Sequence, residues 1–268
     1  MESEKTRIIA VANEKGGVGK TVTVLNLGAA LYREGKTVLI VDIDPQRNAT
    51  EGMGIEPDEK ILTSYDILVN SETIDANEAI IHTQWEGLDI IPSDAELVGA
   101  DIELYDQDGR EEKLLEGLKE LTGKYDFILI DTPPSLSLLT VNVFAYADEV
   151  LIPCQTHPYS FNALTELFDT LDMIKEEINP GIRITGIIAT FFNNRTKASR
   201  NVLEKIQADE KYKGLLFKTK IRTNTTIADS ADAGMPVVFY KPGSYGANDY
   251  NDLAEELLQR GIPNESDG

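Results

Sequence analysis

The run Lys15-Gly16-Gly17-Val18-Gly19-Lys20-Thr21 constrains this chain more than any other feature. An apolar, β-like stretch, Ile8–Ala12, precedes it, and a helix-like stretch, Val22–Arg33, follows it. A glycine-rich turn between a strand and a helix aims several backbone N–H groups at one point. That point is also the positive end of the helix dipole, so it holds phosphate. Lys20 is placed to reach β- and γ-phosphates, and the Thr21 hydroxyl to ligate Mg²⁺. The candidate nucleotide cradle is therefore Gly16, Gly17, Val18, Gly19, Lys20, Thr21 and Val22. The common phosphate-loop pattern carries a glycine six residues before its lysine. Glu14 stands there instead, and a second lysine, Lys15, opens the loop.

Short Val/Ile-rich runs alternate with longer amphipathic ones along the rest of the chain. The pattern predicts strands over 7–13, 37–43, 88–91, 126–131, 149–155 and 183–192. It predicts helices over 21–34, 94–105, 110–121, 138–146, 160–178 and 197–209. Strands separated by helices imply an α/β fold, with a mainly parallel sheet covered by helices on both faces. Residues 221–261 read as two helices around the Gly234-Met235-Pro236 turn, and 50–77 is too weakly periodic to assign. No linker or repeat interrupts the pattern, so residues 1–268 read as one domain, with 262–268 as an acidic, flexible tail.

Two further patterns complete a nucleotide site. The second strand runs into Asp42-Ile43-Asp44-Pro45, and ligands of parallel sheets gather beyond the carboxyl ends of the strands. Asp44 is the candidate for orienting an attacking water and for a water-mediated hold on Mg²⁺. Asp42 has two readings, a site carboxylate or a cap on the next turn. The run Phe127-Ile128-Leu129-Ile130-Asp131 is four apolar residues closed by an acid, about 110 residues after the loop. This Walker B pattern delivers Asp131 to the Mg²⁺ shell, where the metal offsets the cost of burying a carboxylate. Lys15, at the front of the loop, points away from its own chain's phosphates. A facing second subunit would place it on the other's phosphates, neutralising charge as an arginine finger does.

The net charge of −21 argues against a chain that coats nucleic acid by bulk attraction. From Arg195 to Arg222, however, nine cations face three acids, so that segment is +6 and the remainder −27. That segment has two readings, an ordinary solvated helix and loop or a local phosphate-binding patch on an acidic body, and in the second Arg195, Lys197, Arg200, Lys218, Lys220 and Arg222 are the candidate contacts. The single cysteine, Cys154, excludes an internal disulfide framework. It reads as a small buried hydrophobe, His82 and His157 as structural, and Trp85 as a packing anchor. With no apolar run long enough for a membrane and no leader-like start, the expectation is a cytoplasmic protein.

Taken together, Lys15–Thr21, Asp42–Asn48, Ile91-Pro92-Ser93, Tyr125–Pro134 and the 138–148 segment make the chain resemble the ParA/Soj partition ATPases. These form the deviant Walker A branch of P-loop proteins, which also holds MinD and the nitrogenase iron protein. The resemblance extends to Gly234–Val237 and covers nearly the whole chain. It implies slow ATP hydrolysis with Mg²⁺, a sandwich homodimer closed on ATP, and non-specific DNA binding that places the protein on the nucleoid. It also implies a ParB-like partner that stimulates hydrolysis. Asn193 and Asn194, just past the sixth predicted strand, are the candidates for the adenine edge, as an asparagine there is in related nucleotidases. One run departs from the family pattern: Arg222-Thr223-Asn224-Thr225-Thr226 stands where close relatives carry two arginines that grip DNA, so the +6 segment is expected to take over. A MinD-like regulator, or another cargo-positioning ATPase, is the alternative. A MinD-like membrane anchor would need a basic terminal helix, and residues 248–259 are acidic.

Overall fold

A computed structural model describes residues 5–56, 60–157 and 160–261. The expected tail, 262–268, lies outside them. The chain opens with β1 (Arg7–Val11), the glycine loop and α1 (Lys20–Arg33), followed by β2 (Val38–Asp42). Short helices α2 (Asn48–Gly52) and α3 (Ser64–Val69) lead to β3 (Ile81–His82) and β4 (Leu88–Ile91). Next come α4 (Leu97–Glu103), α5 (Lys113–Leu118), β5 (Phe127–Asp131), α6 (Leu138–Tyr146) and β6 (Glu149–Gln155). The second half adds α7 (Ser160–Glu177), β7 (Arg183–Phe192), α8 (Lys197–Ala208) and β8 (Leu216–Arg222). It ends with α9 (Thr225–Asp232), α10 (Val237–Tyr240) and α11 (Tyr245–Arg260).

The strands form one sheet in the order β3-β4-β2-β5-β1-β6-β7-β8. Every neighbouring pair is parallel except β3 with β4. Both faces of the sheet are buried, which is why β1, β2 and β5 read as unbroken apolar runs rather than alternating ones. One core packs α1, α10 and α11 against the sheet through Leu27, Leu31, Tyr250 and Leu253. The other packs α3, α5, α6 and α7 through Leu114, Phe144, Leu164 and Phe168. A buried ion pair closes the far end of the sheet. Arg7 Nη2 donates to Glu149 Oε2 at 2.6 Å, and Arg7 Nη1 to the Leu257 carbonyl at 3.3 Å, tying α11 down.

Three sequence expectations change. The segment 216–222 is an edge strand rather than helix or loop. Phe217 and Ile221 face the core while Lys218 and Arg222 are exposed, the period of a half-buried strand. Three helices, not two, follow it. The predicted helices 94–105 and 110–121 contract to α4 and α5. Asp94 Oδ1 accepts the Glu96 N–H in a turn ahead of α4, and Gly109 takes φ +67° between α4 and α5, so a turn occupies the expected start of each helix. Within 50–77, α3 starts on a capping box between Thr63 and Asp66. Trp85 does anchor packing, stacked on Phe239 at 4.2 Å.

Candidate nucleotide site

The glycine loop leaves the carboxyl end of β1, which lies between β5 and β6 at the centre of the sheet. Gly17 (φ +72°) and Gly19 (φ +91°) adopt the left-handed conformation that a side chain resists. Gly19 is also the N-cap of α1, so the first-turn amides of a 14-residue helix open onto the loop without a side-chain cap. Asn13, which the sequence reading passed over, braces the loop. Its Nδ2 donates to the Pro153 carbonyl at 2.8 Å, and its Oδ1 accepts the Lys15 N–H at 2.9 Å. Thr190 Oγ1 on β7 donates to the Val18 carbonyl at 2.8 Å. Val22 sits in the first turn of α1, half-buried against the adjoining core.

Lys20 is buried, and its Nζ donates to the Asn13 carbonyl at 3.0 Å. Burial lowers its pKa, and the nearby Asp131 and Asp44 carboxylates oppose that shift. Parallel pairing sets Asp131 level with both Val11 and Asp42. Asp131 and Asp44 thus stand near the Lys20 ammonium, and Asp42 adjoins Asp131, all of them buried.

Their environments differ. Asp42 Oδ2 accepts the Thr50 N–H and hydroxyl, both at 2.8 Å, and its Oδ1 accepts the Asp44 N–H at 3.1 Å. Of its two readings, the cap is the observed one. Burial pushes its pKa up to about 6, against those hydrogen bonds. Asp44 spends Oδ1 on the Gln46 N–H at 3.0 Å, which turns the loop after β2. Asp131 is fully buried, and neither of its oxygens completes a hydrogen bond among the described residues. Burial pushes its pKa well above the usual carboxylate range. Asp42 and Asp44 reinforce the shift, while the adjoining Thr21 hydroxyl and Lys20 oppose it. A bare, buried carboxylate beside a threonine hydroxyl fits a hard divalent cation such as Mg²⁺. Among the described residues no three His, Cys, Asp or Glu side chains form a metal cage, so phosphate and water oxygens would complete the shell.

Lys15 Nζ stands 3.4 Å from Ser160 Oγ at the start of α7. Phe191, also missed by the sequence reading, sits at the end of β7 with a left-handed φ of +49° and a half-exposed ring. A Cβ built on Gly19 would lie 3.5 Å from that ring, so Phe191 borders the phosphate loop. Asn193 follows on the exposed turn, its Oδ1 accepting the Arg195 N–H at 3.0 Å.

Residues 6–184 match the AAA domain family. Over 95% of the chain, 41% of positions are identical to the sporulation initiation inhibitor protein Soj of Bacillus subtilis, covering 99% of that protein. Over 96% of the chain, 38% are identical to the chromosome partitioning protein ParA of Myxococcus xanthus, covering 89% of it.

The chain belongs to the ParA/Soj family of P-loop ATPases.

Solved structures of similar fold include cobyrinic acid a,c-diamide synthase from Mycobacterium smegmatis with bound ATP analogue and magnesium. It superposes with a TM-score of 0.80 at 32% identity, covering 95% of each chain. MinD from Pyrococcus horikoshii with Mg-ADP gives 0.76 at 30% identity, covering 97% of this chain and 99% of that one. No helix among the described residues is long and apolar enough to cross a membrane.

The expected DNA patch divides in this family member's fold. Arg195, Lys197 and Arg200 lie exposed at the start of α8 and the turn before it. Arg222, by contrast, is committed. Its Nε donates to Asp249 at 3.0 Å, its Nη2 also pairs with that carboxylate, and its guanidinium covers the Tyr245 ring at 4.5 Å. It therefore fastens β8 to α11. Lys218 and Lys220 line a groove of about 590 Å³ that Asp252, Glu255 and Glu256 line as well, so acids share the lysines' surroundings.

Proposed function

We propose that this ATPase is a nucleotide-driven partition switch that closes as a homodimer on ATP and grips DNA in that state. The observation that carries the site is Asp131, bare and buried beside Thr21 and Lys20. In this reading, Lys20 and the amides of Gly16–Thr21 hold the β- and γ-phosphates of ATP. Thr21, Asp131 and Asp44 would hold Mg²⁺, which would withdraw charge from the phosphate oxygens. Asp44 orients the attacking water. Phe191 and Asn193 flank the nucleoside side of the loop.

Lys15 exchanges its contact with Ser160 for the phosphates of a second copy. With a lysine from each partner in the other's site, triphosphate and dimer stabilise each other. Turnover is slow alone because part of the transition-state charge neutralisation waits on a further, ParB-like partner. DNA contacts come from Arg195, Lys197 and Arg200, doubled by dimerisation, so binding is weak in the monomer and salt-sensitive throughout. This places the protein on the nucleoid. Partition is favoured over the chemistry of the M. smegmatis synthase because the partition relatives share more of the sequence, 38–41% against 32%. It is favoured over a membrane-bound MinD-like role because α11 carries Asp249, Asp252, Glu255 and Glu256, which anionic lipid repels.

The test is Asp44→Ala with Mg-ATP, followed by sedimentation velocity and DNA binding. The expected result is nucleotide binding without hydrolysis and a trapped dimer that holds DNA. A variant that binds ATP yet stays monomeric at high concentration removes the switch.

A further inference from the structure

Helix α4 buries Leu97 and Ala100 against the body and turns its other side outward. That outer side is apolar. Val98 and Ile102 stand one turn apart on α4, and Tyr105 continues their line in the turn just beyond its end; they are 72%, 81% and 68% exposed. An apolar stripe along one helix face is the mark of a surface that meets another surface. Its surroundings carry one sign of charge. Residues 94–109 hold six acids (Asp94, Glu96, Asp101, Glu103, Asp106 and Asp108) and no lysine or arginine. The nearest cation, Arg110, is spent on Glu111 and on the Tyr105 carbonyl and ring.

We propose that the outer face of α4 is a docking site for a cationic amphipathic helix of a partner protein, with apolar side chains on Val98, Ile102 and Tyr105 and lysines or arginines on the acidic rim. Charge selects this occupant. A second copy of this chain would bring its own six acids against the first six, whereas a basic segment is attracted to the rim and steered onto the stripe. The face is also wired to the nucleotide site. Just before α4, Ser93 Oγ donates to the Asp44 carbonyl at 2.7 Å, and the Ser93 N–H donates to Thr50 Oγ1 at 3.0 Å. An occupant of α4 is thereby placed to bias the Asp44 loop. That consequence rests on the ATPase reading above; the docking itself does not.

The probe is a synthetic fluorescent peptide of Leu, Ala and Lys with leucines at i, i+4 and i+7, titrated by anisotropy against the nucleotide-free, full-length protein. Three comparisons decide the matter. A scrambled peptide of the same charge, and the protein variants V98S/I102S and D101N/E103Q/D106N, should each bind about tenfold more weakly, since each removes one half of the match. The altered residues are exposed, so melting temperatures should match the wild type. Equal binding of the scrambled peptide would show mere attraction to an acidic protein and overturn the proposal, as would unchanged affinity in V98S/I102S. Should V98S/I102S instead abolish self-association seen by sedimentation without peptide, the occupant is a second copy and the proposal fails. None of these readouts needs ATP, so their failure leaves the ATPase reading intact.

Discussion

Asp131→Asn separates a metal-binding carboxylate from a structural one. The wild-type side chain is fully buried and neither oxygen completes a hydrogen bond among the described residues, so what goes with the charge is only its attraction to Lys20 and the adjoining Thr21 hydroxyl. Its pKa is raised in the folded state, chiefly by burial and then by Asp42. A folded carboxyl that keeps a proton the unfolded chain has released stabilises at low pH, and that stability drains away as pH rises through the folded value. At pH 8 the nucleotide-free wild type therefore bears the cost of an unsatisfied buried acid, about 1–3 kcal/mol or more. The neutral amide of the variant avoids the charged part of that cost. For a chain of this size the change corresponds to a melting temperature higher by about 2–10 °C. With Mg-ATP the order reverses. Ligand at about 100 times Kd stabilises the wild type by about 2.7 kcal/mol, and the variant, lacking its metal carboxylate, gains little. Scanning calorimetry at pH 8, with and without Mg-ATP, reads both halves. A variant less stable than the wild type without nucleotide, or one stabilised equally by Mg-ATP, would refute the reasoning.

The other predictions concern separate parts of the site. Lys20→Ala should abolish nucleotide binding, measured by fluorescent-ATP titration; retained affinity would remove the loop from the site. Affinity for Mg-nucleotide should fall as pH is lowered, because Mg²⁺ must displace a proton from Asp131, whose raised pKa moves that loss above the usual carboxylate range; calorimetric titration across pH reads it. Charge reversal at Arg195, Lys197 and Arg200 should weaken DNA binding and flatten its salt slope by about one unit for each phosphate no longer neutralised. The same reversal at Lys218 and Lys220, which share their groove with Asp252, Glu255 and Glu256, should change it much less.

Where the sequence was legible, the signal was local. Lys15–Thr21 declares itself because only glycine tolerates the dihedrals at 17 and 19, and because the helix must start where the phosphate sits. Asp131 declares itself as the polar end of a strand that is otherwise apolar because both of its faces are buried. Strands β1, β2, β4, β5, β6 and β7 are visible for the same reason. The edge strand β8 was not. Its lysines stood out as charge, and the alternation of Phe217 with Ile221 was hidden between them.

Only the fold decided how groups far apart in the chain share or cancel their charges. The sequence by itself determines a phosphate loop, two acid-ended strands and a parallel sheet, since each follows from backbone conformation and short-range burial. It cannot say that Asp42 is tied to Thr50 while Asp131 is left bare, although the two lie side by side. Nor can it say that Arg222 is held by Asp249, 27 residues later. Those outcomes depend on which side chains the crossovers bring within hydrogen-bonding distance, and that is a property of the packed sheet and helices, not of any one stretch of chain.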